Sequence, residues 1–407
     1  MFNVEEIRKD FPMLEKTMHN HPLVYLDNGA TTLKPQIVID KIVEYLTSYS
    51  GNAHRGDYDL SHKVDEEYES SREVVAEFIN AQSREVVFTS GSTDSLNMIA
   101  FGFGRVCLNE GDEVLLTVAE HASNTLPWFE VAKEKGAIVN YIDLDEKGTV
   151  TLESVKKAIT ENTKIIALAQ VTNVLGFEVP IKDICEYAHQ KGIYVVVDGA
   201  QSVPHNKIDV KDLDCDFLAF SAHKMCGPTG VGVMYGKYEL LKAMKPTRLG
   251  GGSNTRYNSC GVVSLKNPPY KFEAGTPHIE GVIGLKAAIL YLQKLGMDNI
   301  HNYEVELRKY CISKMKELDN VEIYNEESTG AIAFNIKGVF SQDGASLFNT
   351  YGIAVRAGQH CAKILDEFLG VSQTLRVSFY FYNTKEEIDK FIEVCKKGDD
   401  FLDAFFE

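Results

Sequence analysis

A chain of 407 residues, 44% of them hydrophobic and 25% charged, can bury the cores of two ordinary globular domains. Its formal net charge of −16 repels nucleic-acid phosphates and anionic membranes, so we exclude both as primary partners. The eight cysteines include no CxxC pair, the first residues do not resemble a signal peptide, and no apolar run has membrane-spanning length. We therefore expect a cytoplasmic protein with neither disulfides nor a metal site.

The first part of the chain alternates between helical and strand patterns. Apolar spacing near 3.6 predicts helices at 38–50, 64–80, 126–136, 151–159 and 181–191. Short apolar runs predict strands at 85–90, 113–117, 138–143, 164–170, 193–198, 217–220 and 231–235. Apolar strands separated by helices require crossover connections, which predicts an α/β fold with a mostly parallel sheet covered on both faces.

The pattern changes after a join at 265–285 that is rich in Gly and Pro. Long helices are predicted at 285–295 and 302–318, strands at 331–336 and 375–378, and further helices at 341–351 and from 385. This succession is typical of a smaller α+β domain. We predict an N-terminal segment (1–20) that packs with the small domain, a large domain (21–285) and a small C-terminal domain (286–407).

Polar side chains directly follow five of the predicted strands. The five clusters are Gly91-Ser92-Thr93, Glu120-His121, Val171-Thr172-Asn173, Gly199-Ala200-Gln201 and Ser221-Ala222-His223-Lys224. In an open α/β sheet, ligands bind beyond the carboxyl ends of the strands, so these residues should meet at one edge. Their convergence predicts a cofactor site.

Several of these residues suit a particular chemistry, and each also has an ordinary structural explanation. The N–H groups and hydroxyls of Ser92 and Thr93 suit a phosphate, although a plain helix cap has the same sequence. Asp198 ends an apolar strand and requires a cation such as a protonated pyridine nitrogen, unless it only caps a helix. Lys224 suits a Schiff base if burial lowers its pKa, whereas a lone lysine is usually a surface residue. His121 suits ring stacking or proton transfer, although a single histidine is more often structural.

Ten stretches of the chain carry a family resemblance: YLDNGATTLKP (25–35), NAHRG (52–56), FTSGST (88–93), AEHASNTLPW (119–128), VTNVLG (171–176), VDGAQS (197–202), CDFLAFSAHKMCGPTGVG (215–232), FEAGTP (272–277), GIAVRAGQHCA (352–362) and LRVSFYFYNTKEEID (375–389). On these stretches the chain resembles the class V aminotransferase family of fold-type I pyridoxal-phosphate (PLP) enzymes. More narrowly, it is similar to the SufS-type (group II) cysteine desulfurases and their selenocysteine lyase relatives. The resemblance implies a large PLP-binding domain, a small domain with a catalytic cysteine loop, and a homodimer.

The resemblance also implies the residues that hold the cofactor. Lys224 would bond covalently to PLP, Asp198 would pair with the ring nitrogen, and Gln201 would bond the phenolic oxygen. His121 would stack over the ring as a catalytic residue, and Asn173 would lie beside it. The phosphate would be held by Ser92, Thr93, Ser221 and His223, with Thr276 reaching the phosphate of the partner subunit.

Substrate and nucleophile are implied in the same way. Arg376 would bind the substrate carboxylate with help from Asn173, Arg356 would line the substrate site, and His54 and Arg55 would lie near its entrance. Cys361 would be the nucleophile. The residue types agree with this, because a guanidinium can clamp a carboxylate in two parallel bonds. Nearby cations also favour a thiolate, and the other cysteines except Cys260 are expected to be inert.

The favoured reaction converts L-cysteine to L-alanine and leaves a persulfide on Cys361. The sulfur would then pass to an acceptor protein of SufU or SufE type for Fe–S cluster assembly. Selenocysteine lyase stays open, because selenium leaves readily without a nucleophilic cysteine. Another class V enzyme, an epimerase or aminotransferase, would use the same Lys224, and a non-catalytic sulfur-transfer scaffold would keep only the fold. The presence of Cys361 disfavours an epimerase or aminotransferase. Intact Lys224, Asp198 and Cys361 disfavour a non-catalytic scaffold.

Overall fold

The computed structural model describes residues 2–53 and 56–400, except for the side chains of 399 and 400. Its first part contains helices and strands in this order: α1 Val4–Arg8, β1 Thr17–Met18, β2 His21–Pro22, β3 Val24–Tyr25, α2 Gln36–Ser48, α3 Asp59–Phe78, β4 Val86–Thr89, α4 Ser92–Ile99, α5 Arg105–Cys107, β5 Glu113–Thr117, α6 Ala122–Lys135, β6 Ile138–Ile142, α7 Leu152–Ala158, β7 Thr163–Ala169, α8 Ile181–His189, β8 Tyr194–Asp198, α9 Val210–Leu213, β9 Phe217–Ser221, β10 Gly232–Gly236, α10 Tyr238–Ala243, β11 Asn254–Tyr257, β12 Val263–Leu265 and α11 Ile279–Leu295.

The second part is shorter. Its elements are α12 Met297–Met315, β13 Val321–Ile323, β14 Ile332–Ile336, α13 Ser341–Thr350, β15 Ile353–Ala354, β16 Arg356–Gly358, α14 Lys363–Leu369, β17 Thr374–Val377 and α15 Lys385–Lys396. Four of its strands form an antiparallel sheet in the order β13-β14-β17-β16. The short strand β15 pairs instead with β3, so the start of the chain is attached to this second part.

The central sheet has seven strands in the order β4-β10-β9-β8-β7-β5-β6. Only β10 runs antiparallel to its neighbours. Successive residues of β7 alternate between two hydrophobic cores: Ile166 and Leu168 belong to the core beneath α8, and Ile165 and Ala167 belong to the core beneath α4 and α6. The predicted α/β fold, with a mostly parallel sheet buried on both faces, is therefore confirmed.

The N-terminal segment packs mainly through Phe11, which is fully buried. Its ring lies 4.6 Å from the ring of Tyr382 and 6.0 Å from that of Tyr291. Position 285 falls inside the continuous helix α11, and the domain limits at 20 and 285 stay a prediction. Among the described residues, no helix combines the length and apolar character needed to cross a membrane.

Helices α2, α3, α6, α11 and α12 all begin earlier than predicted, and two of these starts are informative. Helix α6 begins at Ala122 instead of 126, because the ring of His121 accepts the N–H of Ser123 and caps it. Helix α11 begins at Ile279 instead of 285, in a stretch whose glycines suggested a loop. A Cβ on Gly284 would come within 3.1 Å of Pro228, so this glycine permits close packing inside the helix.

Candidate active site

The carboxyl ends of β4, β7, β8 and β9 open into one cleft with a volume of about 730 Å³, and residues of β16, β17 and the loop between them close its other side. Most of the predicted site residues line it: Ser92, Thr93, His121, Asn173, Asp198, Gln201, Ser221, His223, Lys224, Arg356, Cys361 and Arg376. Thr276 lines a neighbouring cavity of about 140 Å³ instead. His54 and Arg55 lie outside the described residues. The polar clusters therefore meet, and the role of each residue stays a prediction.

One end of the cleft can hold an anion. Ser92 begins α4, its backbone N–H donates to the hydroxyl of Ser221 over 2.7 Å, and the two hydroxyls lie 2.9 Å apart. Gly91 has φ of +151°, and a Cβ on Gly232 of β10 would come within 2.6 Å of the Gly91 carbonyl carbon. Two glycines therefore let the backbones approach closely, and the N-terminus of α4 presents N–H groups and hydroxyls to the cleft.

A buried carboxylate and a lysine lie further along the cleft. Asp198 is 5% exposed, accepts the N–H of Ala200 over 2.9 Å, and forms no ion pair with any described side chain. Burial raises the pKa of Asp198 above its ordinary value. Burial also lowers the pKa of Lys224 to about 8; Asp198 opposes this shift, and the positive Arg376 adds to it. At neutral pH, Lys224 is therefore uncharged far more often than a free lysine.

His121 is held as a neutral ring. Its Nδ1 accepts the N–H of Ser123 over 3.1 Å, which leaves the hydrogen on Nε2. Burial, assisted by the positive Lys224, lowers the pKa of His121 to about 4. A neutral imidazole at the edge of the cleft suits stacking on a planar ring.

Glu120, next to His121, lies beneath the cleft and joins three elements. Its carboxylate accepts the side-chain amide of Asn124 over 2.8 Å, the hydroxyl of Thr117 over 2.9 Å and the N–H of Ala169 over 2.9 Å. These bonds connect α6, β5 and β7. The carboxylate therefore fixes the turn that carries His121.

Gln201 and His223 are held by the segment that follows β3. The amide nitrogen of Gln201 donates to the carbonyl of Gly29 over 2.7 Å and keeps a second hydrogen for another acceptor. The carbonyl of His223 accepts the N–H of Thr32 over 2.9 Å. Burial lowers the pKa of His223 to about 4, so its ring is neutral and can bind an anion only as a hydrogen-bond donor.

Arg376 is buried at the small-domain side of the cleft, with 3% of its side chain exposed. Its Nη1 donates to the carbonyl of Asn173 over 2.9 Å, and its Nη2 lies 3.4 Å from a carboxylate oxygen of Asp27. Its Nε is buried without a hydrogen-bond partner among the described residues. Arg356 lies opposite Arg376 on the neighbouring strand, and its guanidinium is 4.0 Å from Asp27. An unpartnered donor on a buried guanidinium is suited to a carboxylate.

Cys361 lies on a short loop that is attached at several points. Its carbonyl accepts the N–H of Ala122 over 2.7 Å, and the carbonyl of His360 accepts the amide of Asn173 over 2.8 Å. The His360 ring is buried, with Nε2 3.0 Å from both oxygens of Thr374. Both His360 and Cys361 have positive φ, +49° and +57°. The Cys361 side chain is exposed at the cleft.

The loop that carries Thr276 is anchored by a buried ion pair. Arg72 and Glu273 have side chains 1% and 8% exposed, and two N···O contacts of 2.6 and 2.9 Å join them. Glu273 also accepts the N–H of Phe88 over 2.9 Å. Phe88 belongs to β4, which leads into the anion-binding turn. Thr276 itself is exposed.

The residues of the cleft fit PLP. The buried Asp198 has no cation at hydrogen-bond distance among the described residues, and a protonated ring nitrogen would supply one. The turn at Ser92 and Ser221 offers donors to a phosphate, and a Cβ would fill it. Lys224, with a lowered pKa, is suited to a Schiff base.

Asp27 and His360 contribute to the site without having been predicted. Asp27 contacts both arginines, and His360 fixes the Cys361 loop. Each lies inside a motif that carried the resemblance, YLDN and RAGQHCA, so the motif was the available signal. The arginines that Asp27 contacts lie far away in sequence, and the Thr374 oxygens near the His360 ring lie on the next strand, so no local pattern could supply these contacts.

Comparison with known proteins agrees with this geometry. The model of the Aminotransferase class-V family matches residues 24–391. The chain is 45% identical over 406 residues to a probable cysteine desulfurase of Halalkalibacterium halodurans, covering 99% of this chain and 100% of that protein. It is also similar to the solved cysteine desulfurase CsdA (S-sulfonic acid) of Escherichia coli, with 37% identity, a TM-score of 0.91, and 98% and 99% of the two chains covered. A mutant of C-DES with glycine covalently linked to its PLP cofactor shares the fold, at 20% identity, a TM-score of 0.83, and 96% and 98% coverage.

Proposed function

This chain belongs to the class-V aminotransferase family and is a PLP-dependent cysteine desulfurase, and from that premise we propose how its residues release sulfur from L-cysteine. The observation that carries the proposal is the shared cleft, in which Lys224, Arg376 and the exposed Cys361 face one cavity. An amine, a carboxylate clamp and a thiol are the three groups that this reaction requires of the protein.

Each residue has a chemical task. When bound, PLP supplies a carbonyl carbon for an amine and a ring that withdraws electrons from the substrate Cα. Arg376 binds the substrate carboxylate through guanidinium N–H groups that its contacts with Asn173 and Asp27 leave free. Lys224, often uncharged because of its lowered pKa, holds the cofactor in the resting protein and then takes the Cα proton as a general base. The neutral ring of His121 would cover the cofactor once it is bound.

Cys361 takes the sulfur. Its thiolate attacks the sulfur of the bound substrate, so that an S–S bond forms and the Cβ–S bond breaks. The electron pair of the broken bond remains on the substrate carbon, which takes up protons and is released as L-alanine. Asn173 and Ala122 hold the backbone of the Cys361 loop during this step.

The test is mass spectrometry of the protein after exposure to L-cysteine, together with alanine release. We expect Cys361 to gain one sulfur atom and Cys361→Ala to lose alanine release. Cys260→Ala is the matched control, because Cys260 is the other exposed cysteine and does not line the cleft. Full cysteine activity in Cys361→Ala would refute the persulfide mechanism. PLP that becomes covalently attached to the Lys224→Ala protein on borohydride reduction would refute the role of Lys224.

Selenocysteine lyase activity is the second candidate. A carbon–selenium bond breaks more readily than a carbon–sulfur bond, so L-selenocysteine could lose selenium without the thiol of Cys361. We expect Cys361→Ala to lose activity toward L-cysteine. If the variant and the wild type process L-selenocysteine at equal rates, selenium chemistry is also a function of this cleft.

We further propose a homodimer in the cytoplasm. Helix α2 exposes the apolar side chains of Ile37, Val43 and Leu46, each close to half exposed, which is typical of a surface that another chain covers. Thr276 is exposed beside the anion-binding end of the cleft, where a partner's phosphate could meet it. All eight cysteines are unpaired, which agrees with a reducing compartment. Light scattering of the purified holoprotein tests the dimer.

The sulfur acceptor is proposed to be a protein of SufU or SufE type that feeds Fe–S cluster assembly. Support comes from the exposure of Cys361, since a persulfide there can be reached from solvent. Radiolabelled sulfur loaded on Cys361 should move to such a protein on mixing. Retention of the label on Cys361 with both acceptor types would refute this assignment.

A further inference from the structure

Asp27 lies between the two arginines of the cleft. One of its carboxylate oxygens is 3.4 Å from Nη2 of Arg376, and the other is 4.0 Å from Nη1 of Arg356. The side chain of Asp27 is 21% exposed, whereas Arg376 is 3% and Arg356 43% exposed. One carboxylate therefore contacts two guanidinium groups.

The position of Asp27 is set by two sheets at once. Leu26, the residue before it, donates its N–H to Ala354 over 2.9 Å and accepts the N–H of Ser378 over 2.8 Å. Asp27 itself forms an isolated bridge with Ser378. The backbone of Asp27 is thus placed between the strand that leads to Arg356 and the strand that contains Arg376.

The two arginines repel each other. Arg356 and Arg376 are directly paired across β16 and β17, so their side chains leave the same face of the sheet a few ångströms apart. Like charges directly opposite each other destabilise a sheet. Asp27 compensates this repulsion, and it also changes what the pair can bind: two guanidinium groups and one carboxylate leave a single net positive charge.

We propose that Asp27 is a specificity-determining residue that limits the cleft to amino acids with one carboxylate by cancelling the second positive charge of the arginine pair. The substrate carboxylate on Arg376 neutralises the remaining charge. A second acidic group of the ligand, placed near Arg356, is then repelled by Asp27. The arginine pair has no positive charge left to attract it. This rests on the proposed function, in which Arg376 binds the substrate carboxylate.

The experiment compares L-aspartate with L-asparagine, two ligands of nearly equal shape that differ by one negative charge. Their dissociation constants for the holoprotein are measured from the change in the PLP absorption band, and their inhibition constants from alanine release. In the wild type we expect asparagine to bind more tightly than aspartate. In Asp27→Asn the ratio of the two constants should shift toward aspartate by roughly a hundredfold, as expected for one unit charge about 6 Å away at an effective dielectric constant near 20.

Two further variants keep the test decisive if Asp27→Asn folds poorly. Asp27→Glu retains the charge and should retain the wild-type ratio. Arg356→Gln removes one cation and should shift the ratio in the opposite direction, away from aspartate. Opposite shifts in Asp27→Asn and Arg356→Gln would show that the charge balance of the pair sets the preference.

The proposal is overturned if the variants bind aspartate and asparagine with the wild-type ratio, or if the holoprotein binds neither ligand. These outcomes are distinct from failure of the proposed function. A wild type that releases no alanine from L-cysteine, yet shows the expected shifts in binding, would refute the desulfurase reaction and leave the role of Asp27 standing.

Discussion

Removing the charge of Glu273 should destabilise the whole protein measurably. In Glu273→Gln the guanidinium of Arg72 stays buried, with 1% exposure, and loses its two-bonded partner. Loss of one partner of a buried ion pair typically costs about 3 to 5 kcal/mol, because the other charge is left without compensation. Glu69 remains 3.1 Å from Arg72, so we expect the lower end, about 3 kcal/mol.

This cost translates into a shift of the melting temperature. The entropy of unfolding is about 2.1 cal/mol/K per residue, so a chain of 407 residues has roughly 0.9 kcal/mol/K. A loss of about 3 kcal/mol then lowers the melting temperature by about 3 to 4 °C. Circular dichroism of the holoprotein at one scan rate measures this shift.

The matched control is the exposed ion pair of Arg105 and Glu134, which has a similar N···O distance of 2.8 Å but side chains 44% and 47% exposed. Glu134→Gln should cost less than about 1 kcal/mol. The double variant Arg72→Met/Glu273→Leu should recover stability relative to Glu273→Gln, because no buried charge remains. Equal melting temperatures for Glu273→Gln and Glu134→Gln would refute the reasoning.

Three further predictions follow from burial and backbone geometry. Iodoacetamide should label Cys361 and Cys260 of the native protein first, because the other cysteines are buried or half-buried; rapid labelling of a third cysteine in peptide mass spectra would contradict this. Burial lowers the pKa of His360 to about 3, whereas a free histidine titrates near 6.5. Between these two pH values the unfolded chain binds a proton at His360 and the folded protein does not. The free energy of unfolding therefore falls by about 1.4 kcal/mol per pH unit as the pH decreases from about 6.5 toward 3. Urea midpoints between about pH 5 and 7 should therefore depend on pH less steeply in His360→Gln, and equal slopes would exclude His360 as the cause. Finally, Gly176→Ala should lower the free energy of unfolding in urea by about 2 to 4 kcal/mol, because φ is +63° and the new Cβ would lie 2.8 Å from backbone atoms. The control Gly192→Ala, where φ is +72° and the space is open, should lower it by only about 1 to 2 kcal/mol. Equal losses in the two variants would show that the backbone contact at Gly176 is harmless.

The parallel sheet and the convergence of its polar ends were predictable because both follow from local patterns. An apolar run such as the one that ends at Asp198 is a buried strand whatever surrounds it, and the edge where such strands end is where ligands bind. The helix starts were less accurate. His121 caps α6 with its ring, and histidine is not among the usual capping residues, so the start at Ala122 was missed.

What sequence could not supply is the set of contacts that cross between sheets. The pairing of β3 with β15 and of β16 with β17 joins segments that have no common periodicity, and it decides that Asp27 meets two arginines. The hairpin of β11 and β12 was missed for another reason: its side chains are largely exposed, so no hydrophobic alternation marks it. Resemblance named Arg376 and Cys361, but only the structure shows which residues hold them.

The attachment of the Cys361 loop has a consequence for how sulfur can leave the protein. Its backbone bonds to Ala122 and Asn173, and the buried His360 ring, attach the loop to α6, to the segment after β7 and to β17. These attachments would have to break before the Cys361 thiol could swing toward a distant recipient. If the sulfur passes to an acceptor protein, as proposed, that protein would have to present its own reactive group on a projecting segment that enters the mouth of the cleft. The shape of the recipient, more than motion of the donor, would then decide which proteins can collect the sulfur.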